Sequence, residues 1–275
     1  MDTATDRDRM QSNQQGWNRR ALAHIDSSYY DLDTFRAGKS SLRSLELEAL
    51  GDVSGKDFLH LQCHIGLNAI SWARRGANVT AVDFADQALE IGRDLAKGLN
   101  VDNINFVHSN IYDLPEVLKS SFDIVYTDYG VLNLLPDLSG WAKIIAHFLK
   151  PGGVFHIVEI HPILGAFAEV DGELRLRSEL FKSGVREYEV SLTYGDAYEE
   201  AREIDPYQQY AWPWTLSTVF TALIQAGLQI ETFTEVPVDC RQRLASMVRD
   251  EEEGFWRLPG DPIPLTWTLS ARKPE

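Results

Sequence analysis

Residues 60–66 read HLQCHIG (His60 to Gly66), and the fold turns on how this stretch is read. It follows the apolar start of a strand predicted over Asp57–Gln62 and precedes a helix predicted over Leu67–Arg75 and closed by Gly76. A strand, a tight turn and an amphipathic helix in that order form the opening of a nucleotide-binding α/β unit, whose turn is ordinarily rich in glycine. Here Gly66 stands alone, with Gln62 and His64 where further glycines are expected.

Working outward, the same alternation repeats. Asn78–Asp83 (NVTAVD) is a second strand, and Asp86 is placed to cap a helix in which Ala88, Ile91, Leu95 and Leu99 recur at helical spacing. Ile104–His108 is a third strand and Phe122–Thr127 (FDIVYT) a fourth. Trp141, Ile144, Ile145, Phe148 and Leu149 form an apolar helical stripe that KPGG ends, and VFHIVEI is a fifth strand. Strands joined by single helices predict a parallel sheet with right-handed crossovers.

After Ile160 the pattern breaks. Residues 165–210 hold 11 acidic and 5 basic residues among scattered aromatics, with REYEVSLTY as one strand, and read as an insertion over the sheet. A helix over Leu216–Ala226, the strand QIETFTEV and the alternating PLTWTLSAR complete the chain. The expected fold class is α/β: a doubly wound, mostly parallel seven-stranded sheet with an antiparallel C-terminal edge strand and an insertion after strand five. Residues 1–50 are expected to form a helical lid segment and 51–275 the main domain, with 165–210 capping an acceptor.

Composition limits the function. The 275 residues are 44% hydrophobic, enough for a sizeable core. The balance of 26 Lys+Arg against 41 Asp+Glu gives a net charge of −15, a field that repels phosphate backbones and argues against nucleic acid as a partner. No window approaches the roughly 18 apolar residues of a membrane span, and the polar start lacks a secretion signal. With only Cys63 and Cys240, the chain is expected in a reducing compartment, the cytoplasm. His60, Cys63 and His64 invite a metal reading, but strand alternation sends His60 and Cys63 to opposite faces, so no metal is expected.

Five segments in order, LHLQCHIG, VTAVDFADQAL, FVHSNIYDLP, FDIVYTDYG and FLKPGGVFHIVE, resemble the motifs of class I S-adenosylmethionine-dependent methyltransferases with a Rossmann-like fold. LHLQCHIG departs from the family's LDLGCGxG at His60, Gln62 and His64. The departure is tolerable because S-adenosylmethionine has no phosphate for glycine amides to cradle, while the Gln62 amide can meet an ammonium or a carboxylate. The resemblance implies that Gln62, Cys63, His64 and Gly66 hold the cofactor's methionine end and that Asp83 accepts hydrogen bonds from its ribose hydroxyls. Phe84, Asn110 and Ile111 are expected around the adenine, with Tyr129 on the lip of the site. Each has a plainer alternative: a solvated or capping Asp83, a core Phe84 or Tyr129, a turn Asn110.

The expected activity is methyl transfer to a small molecule. Should the acceptor need a base, Asp128, Glu159 and above all His161 stand at strand ends, though surface or capping roles suit them equally. Two rival readings stay open: a nicotinamide-dependent oxidoreductase, which would want the missing glycines, and a binding protein with a dead cofactor site.

Overall fold

The computed structural model describes residues 3–177, 181, 184–250 and 252–275. The chain opens with helices α1 (Thr3–His24), α2 (Leu32–Arg36) and α3 (Ser44–Leu50), then enters the alternating part. There β1 (Asp57–Leu61), α4 (Leu67–Arg74), β2 (Asn78–Asp83), α5 (Asp86–Gly98), β3 (Ile104–His108), α6 (Leu114–Val117), β4 (Phe122–Asp128), α7 (Leu138–Phe148) and β5 (Leu149–Ile160) follow in turn. The insertion contains two hairpins, β6 (Phe167–Val170) with β7 (Glu173–Leu176), and β8 (Arg186–Thr193) with β9 (Arg202–Ala211). Helix α8 (Leu216–Gln225), strand β10 (Gln229–Val236), the short pair β11 (Val248–Arg249) and β12 (Trp256–Arg257), and β13 (Thr266–Arg272) end the chain.

Seven strands join in the order β10-β13-β5-β4-β1-β2-β3. The five strands β1 to β5 are mutually parallel, and β13 runs antiparallel between β5 and β10, so the last two strands make an antiparallel ribbon along one side. Order reverses between β1 and β4, the place where doubly wound sheets open a crevice at the carboxyl ends of their strands.

Period-two alternation divides the β1 side chains between two cores. Phe58 packs with Ile70, Trp72 and Tyr126 on one face, while Leu59 and Leu61 pack with Trp141, Phe155 and Trp267 on the other. Trp141 is fully buried at the centre of the α7 stripe, and its truncation to alanine would cost about 3–5 kcal/mol. Helix α7 ends at Phe148, and pairing of β5 with β4 already begins at Leu149 opposite Phe122, so KPGG lies inside the strand rather than before it. Asp86 is in the first turn of α5 and does not cap it; the N-cap is Ala85, and the Asn18 side chain reaches from α1 to bond both Asp86 and the Gln87 amide.

The N-terminal helix is anchored along the insertion. Asn13 donates to the Tyr210 carbonyl and accepts from the Tyr210 amide, both at 2.8 Å, which extends the β9 backbone pairing with a side chain. Gly16 faces the Tyr207 ring so closely that a Cβ would stand 1.9 Å from it. Among the described residues, no helix is long and apolar enough to cross a membrane.

Candidate functional site

The turn after β1 explains which glycine survives. Gln62, His64 and Gly66 all have positive φ, at 58°, 52° and 75°. A Cβ on Gly66 would sit 2.6 Å from the Phe106 ring, so that position needs glycine for space as well as for backbone angle. Gln62 and His64 carry side chains in the left-handed region, at roughly 1–2 kcal/mol each. A strained pair of this kind persists where surrounding contacts over-determine it.

Those contacts are present. The His64 amide donates to Asp83 Oδ2 and the Ala85 amide to Asp83 Oδ1, both at 2.8 Å. The Cys63 amide donates to the Val82 carbonyl, stitching the turn to β2. Burial raises the Asp83 carboxyl, against the pull of these two amides. Each oxygen keeps a second lone pair for a ligand hydroxyl. The His64 ring is 2.8 Å from His24 Nδ1, and His24 Nε2 is 2.6 Å from Thr193 Oγ1, so one line of contacts ties α1, the turn and the insertion. Burial drives both imidazoles towards the neutral form, His64 down to about 3 and His24 lower still.

A cavity of about 940 Å³ opens along the carboxyl ends of β1, β2 and β4, at the upper end of the range of about 300–1,000 Å³ usual for small-molecule sites. It gathers Gln62, Cys63, His64, Gly66, Asp83, Phe84, Asn110, Ile111, Asp128 and Tyr129, so every residue that the sequence nominated for the cofactor lines one space. Asn110 Oδ1 accepts from the Tyr112 amide, and its NH2 group lies over the Met10 sulfur of α1, 3.8 Å away. Phe84 offers its carbonyl to Gln14, also of α1, and to His108. Among the described residues, Trp17 Nε1, His60 Nδ1, Gln62 Oε1, His64 Nδ1 and the Tyr129 hydroxyl are buried and find no hydrogen-bond partner. Such groups cost about 1–3 kcal/mol each unless satisfied. They supply both donors and acceptors, the combination that an amino-acid zwitterion requires.

The three carboxyl or imidazole groups nominated as bases fare differently. Asp128 lines the cavity, with Oδ1 3.2 Å from His60 Nε2 and Oδ2 2.5 Å from Asn68 Nδ2. Burial pushes its carboxyl up, but His60, Asn68 and Tyr126 outweigh that and hold it below the ordinary range. Glu159 accepts from the amides of Gly130, Val131, Leu132 and Ile160 and so shapes the loop after β4. His161 does not line the cavity. Its Nδ1 accepts from the Ile163 amide at 3.1 Å and its Nε2 meets Glu235 at 2.8 Å, leaving neither nitrogen for a substrate proton. The placement at a strand end was legible, but the ring turns towards β10 and caps its own turn.

The outer part of the cavity comes from residues 28–31 and 39–44 of the expected lid segment, from Tyr194, Asp196 and Glu200 of the expected cap, and from Arg249, Glu252, Glu253 and Gly254, which the sequence reading left unassigned. Arg43, just before α3, donates to the carbonyls of Gly254 at 2.9 Å and Cys240 at 3.0 Å, with its guanidinium 5.2 Å from the Phe255 ring centre. Among the described residues no carboxylate lies within ion-pair distance of it. Glu46, in the first turn of α3, bonds the Arg43 backbone amide and makes no ion pair with the guanidinium, and burial pushes its carboxyl up to about 8. The rim acids Asp31, Glu200, Glu252 and Glu253 are exposed. A solvated charge contributes at most about 1 kcal/mol to a pairing, whereas an ion withdrawn from water costs several kcal/mol until an opposite charge reaches it.

Sheet order, crevice and cavity define a doubly wound α/β domain with its ligand space at the strand ends. Residues 58–153 match a family model described as a methyltransferase domain. The ubiquinone biosynthesis O-methyltransferase of Acinetobacter baumannii (strain ACICU) is 32% identical over 143 residues, 51% of this chain and 59% of that one. The demethylmenaquinone methyltransferase of Clavibacter sepedonicus is 35% identical over 111 residues, 40% of this chain and 44% of that one. The chain thus spans about three fifths of the first of these curated relatives and less than half of the second. A putative S-adenosylmethionine-dependent methyltransferase from Listeria monocytogenes shares the fold with TM-score 0.59 at 18% identity, over 84% of this chain and 97% of that one. So does the [4+2]-cyclase SpnF, with TM-score 0.54 at 17% identity, over 84% of this chain and 79% of that one. The chain therefore has the fold these structures share, and within it residues 58–153 match a methyltransferase domain.

Proposed function

We propose that the protein transfers a methyl group from S-adenosylmethionine to a small-molecule acceptor. The observation that carries this reading is the single cavity joining the strained turn 62–66, Asp83 and the carboxyl ends of β2 and β4. When bound, S-adenosylmethionine supplies a methyl group on a sulfonium, reactive enough that alignment and exclusion of water are the main tasks left to the protein.

The residues fit that ligand. Asp83 retains lone pairs for ribose hydroxyls, and Phe84, Asn110 and Ile111 frame the place for an adenine. Gln62 Oε1 is a buried acceptor for an ammonium, and Trp17 Nε1 is a buried donor for a carboxylate. Met10 and Trp17 of α1 line the same space, which supports residues 1–50 as the segment that covers the donor. Tyr194, Asp196 and Glu200 of the insertion line its outer part, which supports 165–210 as the acceptor side. Asp128, held by His60 and Asn68, is assigned an orienting role rather than that of a base.

Titration calorimetry with S-adenosylmethionine, S-adenosylhomocysteine and NAD tests the reading. Binding of the adenosyl compounds and no heat with NAD is the expected result. NAD binding without a response to either adenosyl compound would place the protein among the oxidoreductases, and turnover-free donor binding with every acceptor tried would make it a binding protein.

A further inference from the structure

We infer that Arg43 anchors the methyl acceptor, and that the acceptor is a flat, apolar molecule bearing a carboxylate. The inference rests on the methyltransferase reading above and assigns the outer half of its cavity.

Arg43 lines the cavity, and the only described acceptors of its guanidinium are two backbone carbonyls, while its backbone amide donates to Glu46. A guanidinium has five N–H donors, so two such bonds leave three. The two carbonyls and the Phe255 face fix the fork in place before any ligand arrives, which lowers the ordering cost of binding. Its other neighbours on the wall, Ser40, Ser41 and Ser44, are hydroxyl donors, and Lys39 adds a second cation. The same cavity is lined by Tyr29, Tyr30 and Tyr194, whose rings contact one another edge-on or tilted at centroid distances of 4.9 to 6.4 Å. A flat apolar body against those rings and a carboxylate on the Arg43 fork satisfy both features together.

The acidic rim points the other way, towards a cation, and is outweighed. Asp196 is neutralised by Arg249 at 2.7 Å, and Glu200 is bonded to Ser28. Asp31 caps α2, and Glu252 and Glu253 stand in solvent. Solvated charges at a rim are screened, while among the described residues no carboxylate lies within ion-pair distance of the Arg43 guanidinium.

The test uses three catechols that differ in charge on one ring: 3,4-dihydroxybenzoate, catechol and dopamine. Each is titrated calorimetrically into the full chain, with and without saturating S-adenosylhomocysteine. The expected result is that the anion binds at least about tenfold tighter than catechol, with dopamine weakest. Arg43→Gln should reduce the anion to the affinity of catechol while leaving S-adenosylhomocysteine binding unchanged, and Arg43→Lys should keep part of the preference. Arg272→Gln, whose partner Glu231 and own side chain both lie outside the cavity lining, should leave the ranking as it is. A flat or reversed ranking in the wild type, no binding by any probe, or a preference that survives Arg43→Gln overturns the inference. So does a loss of S-adenosylhomocysteine affinity in Arg43→Gln, which would give Arg43 to the donor. Should that variant not fold, the wild-type ranking and Arg43→Lys decide. Failure of the wild type to bind S-adenosylhomocysteine at all would instead sink the methyltransferase reading itself.

Discussion

The two ends of the cavity are held by different means. At the inner end, charged groups are fixed by backbone amides no more than 29 residues away: Asp83 by those of His64 and Ala85, and Glu159 by four in or beside the loop it shapes. At the outer end they are fixed by remote segments: Arg43 by Gly254 and Cys240, Asp196 by Arg249, and Ser28 by Glu200. The inner end is therefore set by the local course of the sheet edge and the outer end by how distant segments come together. The line from His64 through His24 to Thr193 joins the two ends.

The largest effect expected is on that joining line, and it breaks the comparison if the line is idle. His64 and His24 have folded-state pKa values depressed from 6.5, so their contribution to stability is present above about 6.5 and is lost as the pH falls towards about 3. Unfolding in this window should take up close to two protons from the pair, on the order of 2–3 kcal/mol per pH unit. His24→Asn should remove about one of them. Denaturant unfolding at pH 7, 6 and 5 reads the slope, and equal slopes in wild type and variant would show that the pair is not buried and neutral. Glu46 has the opposite sign: with its carboxyl raised to about 8, its contribution is lost as the pH rises from about 4.5 through 8.

At the inner end, Glu159→Gln replaces an acceptor of four amides with a group that brings its own donors. A loss of about 3–4 kcal/mol of stability is expected. A loss below 1 kcal/mol would mean that the loop after β4 is not held from β5. Asp83→Ala orphans two amides and should cost about 2–3 kcal/mol in folding as well as at least tenfold in donor affinity. An intact donor affinity in the folded variant would separate the rigid inner end from the donor site.

The smallest effect sharpens the same contrast. Gln62→Gly relieves a left-handed backbone but frees the unfolded chain, so stability should change by less than about 1 kcal/mol in either direction. Donor affinity should still fall several-fold if the Gln62 amide meets the ligand. Unchanged affinity would leave Gln62 as a tolerated substitute for glycine and nothing more.

This division also sets how much the sequence disclosed. The sheet was legible because period-two and helical repeats are local, and the inner residues were legible because the family's motifs fall at strand ends that the topology brings together. Helix α7 and KPGG were placed to within a few residues. What stayed hidden depends on contacts distant along the chain. Nothing near Arg43 announces carbonyls 197 and 211 residues away. The partners of His161 were hidden because position at a strand end does not reveal which way a ring turns, and those of Glu159 because three of its four amides lie in a loop nearly 30 residues earlier. Strand β9 was missed for its polar, proline-bearing sequence, and its partner Asn13 gives no local sign.

Gly16 and Tyr207 have a consequence for anyone recombining this protein with a relative. With no room for even a methyl group between the helix and the ring, and with Asn13 pairing to the Tyr210 backbone one helical turn earlier, α1 and β9 form a matched cassette although nearly 200 residues separate them. A chimera that takes its insertion from another parent must take the first helix from the same one, and a library that crosses over between them will be dominated by clones in which the two surfaces no longer mesh.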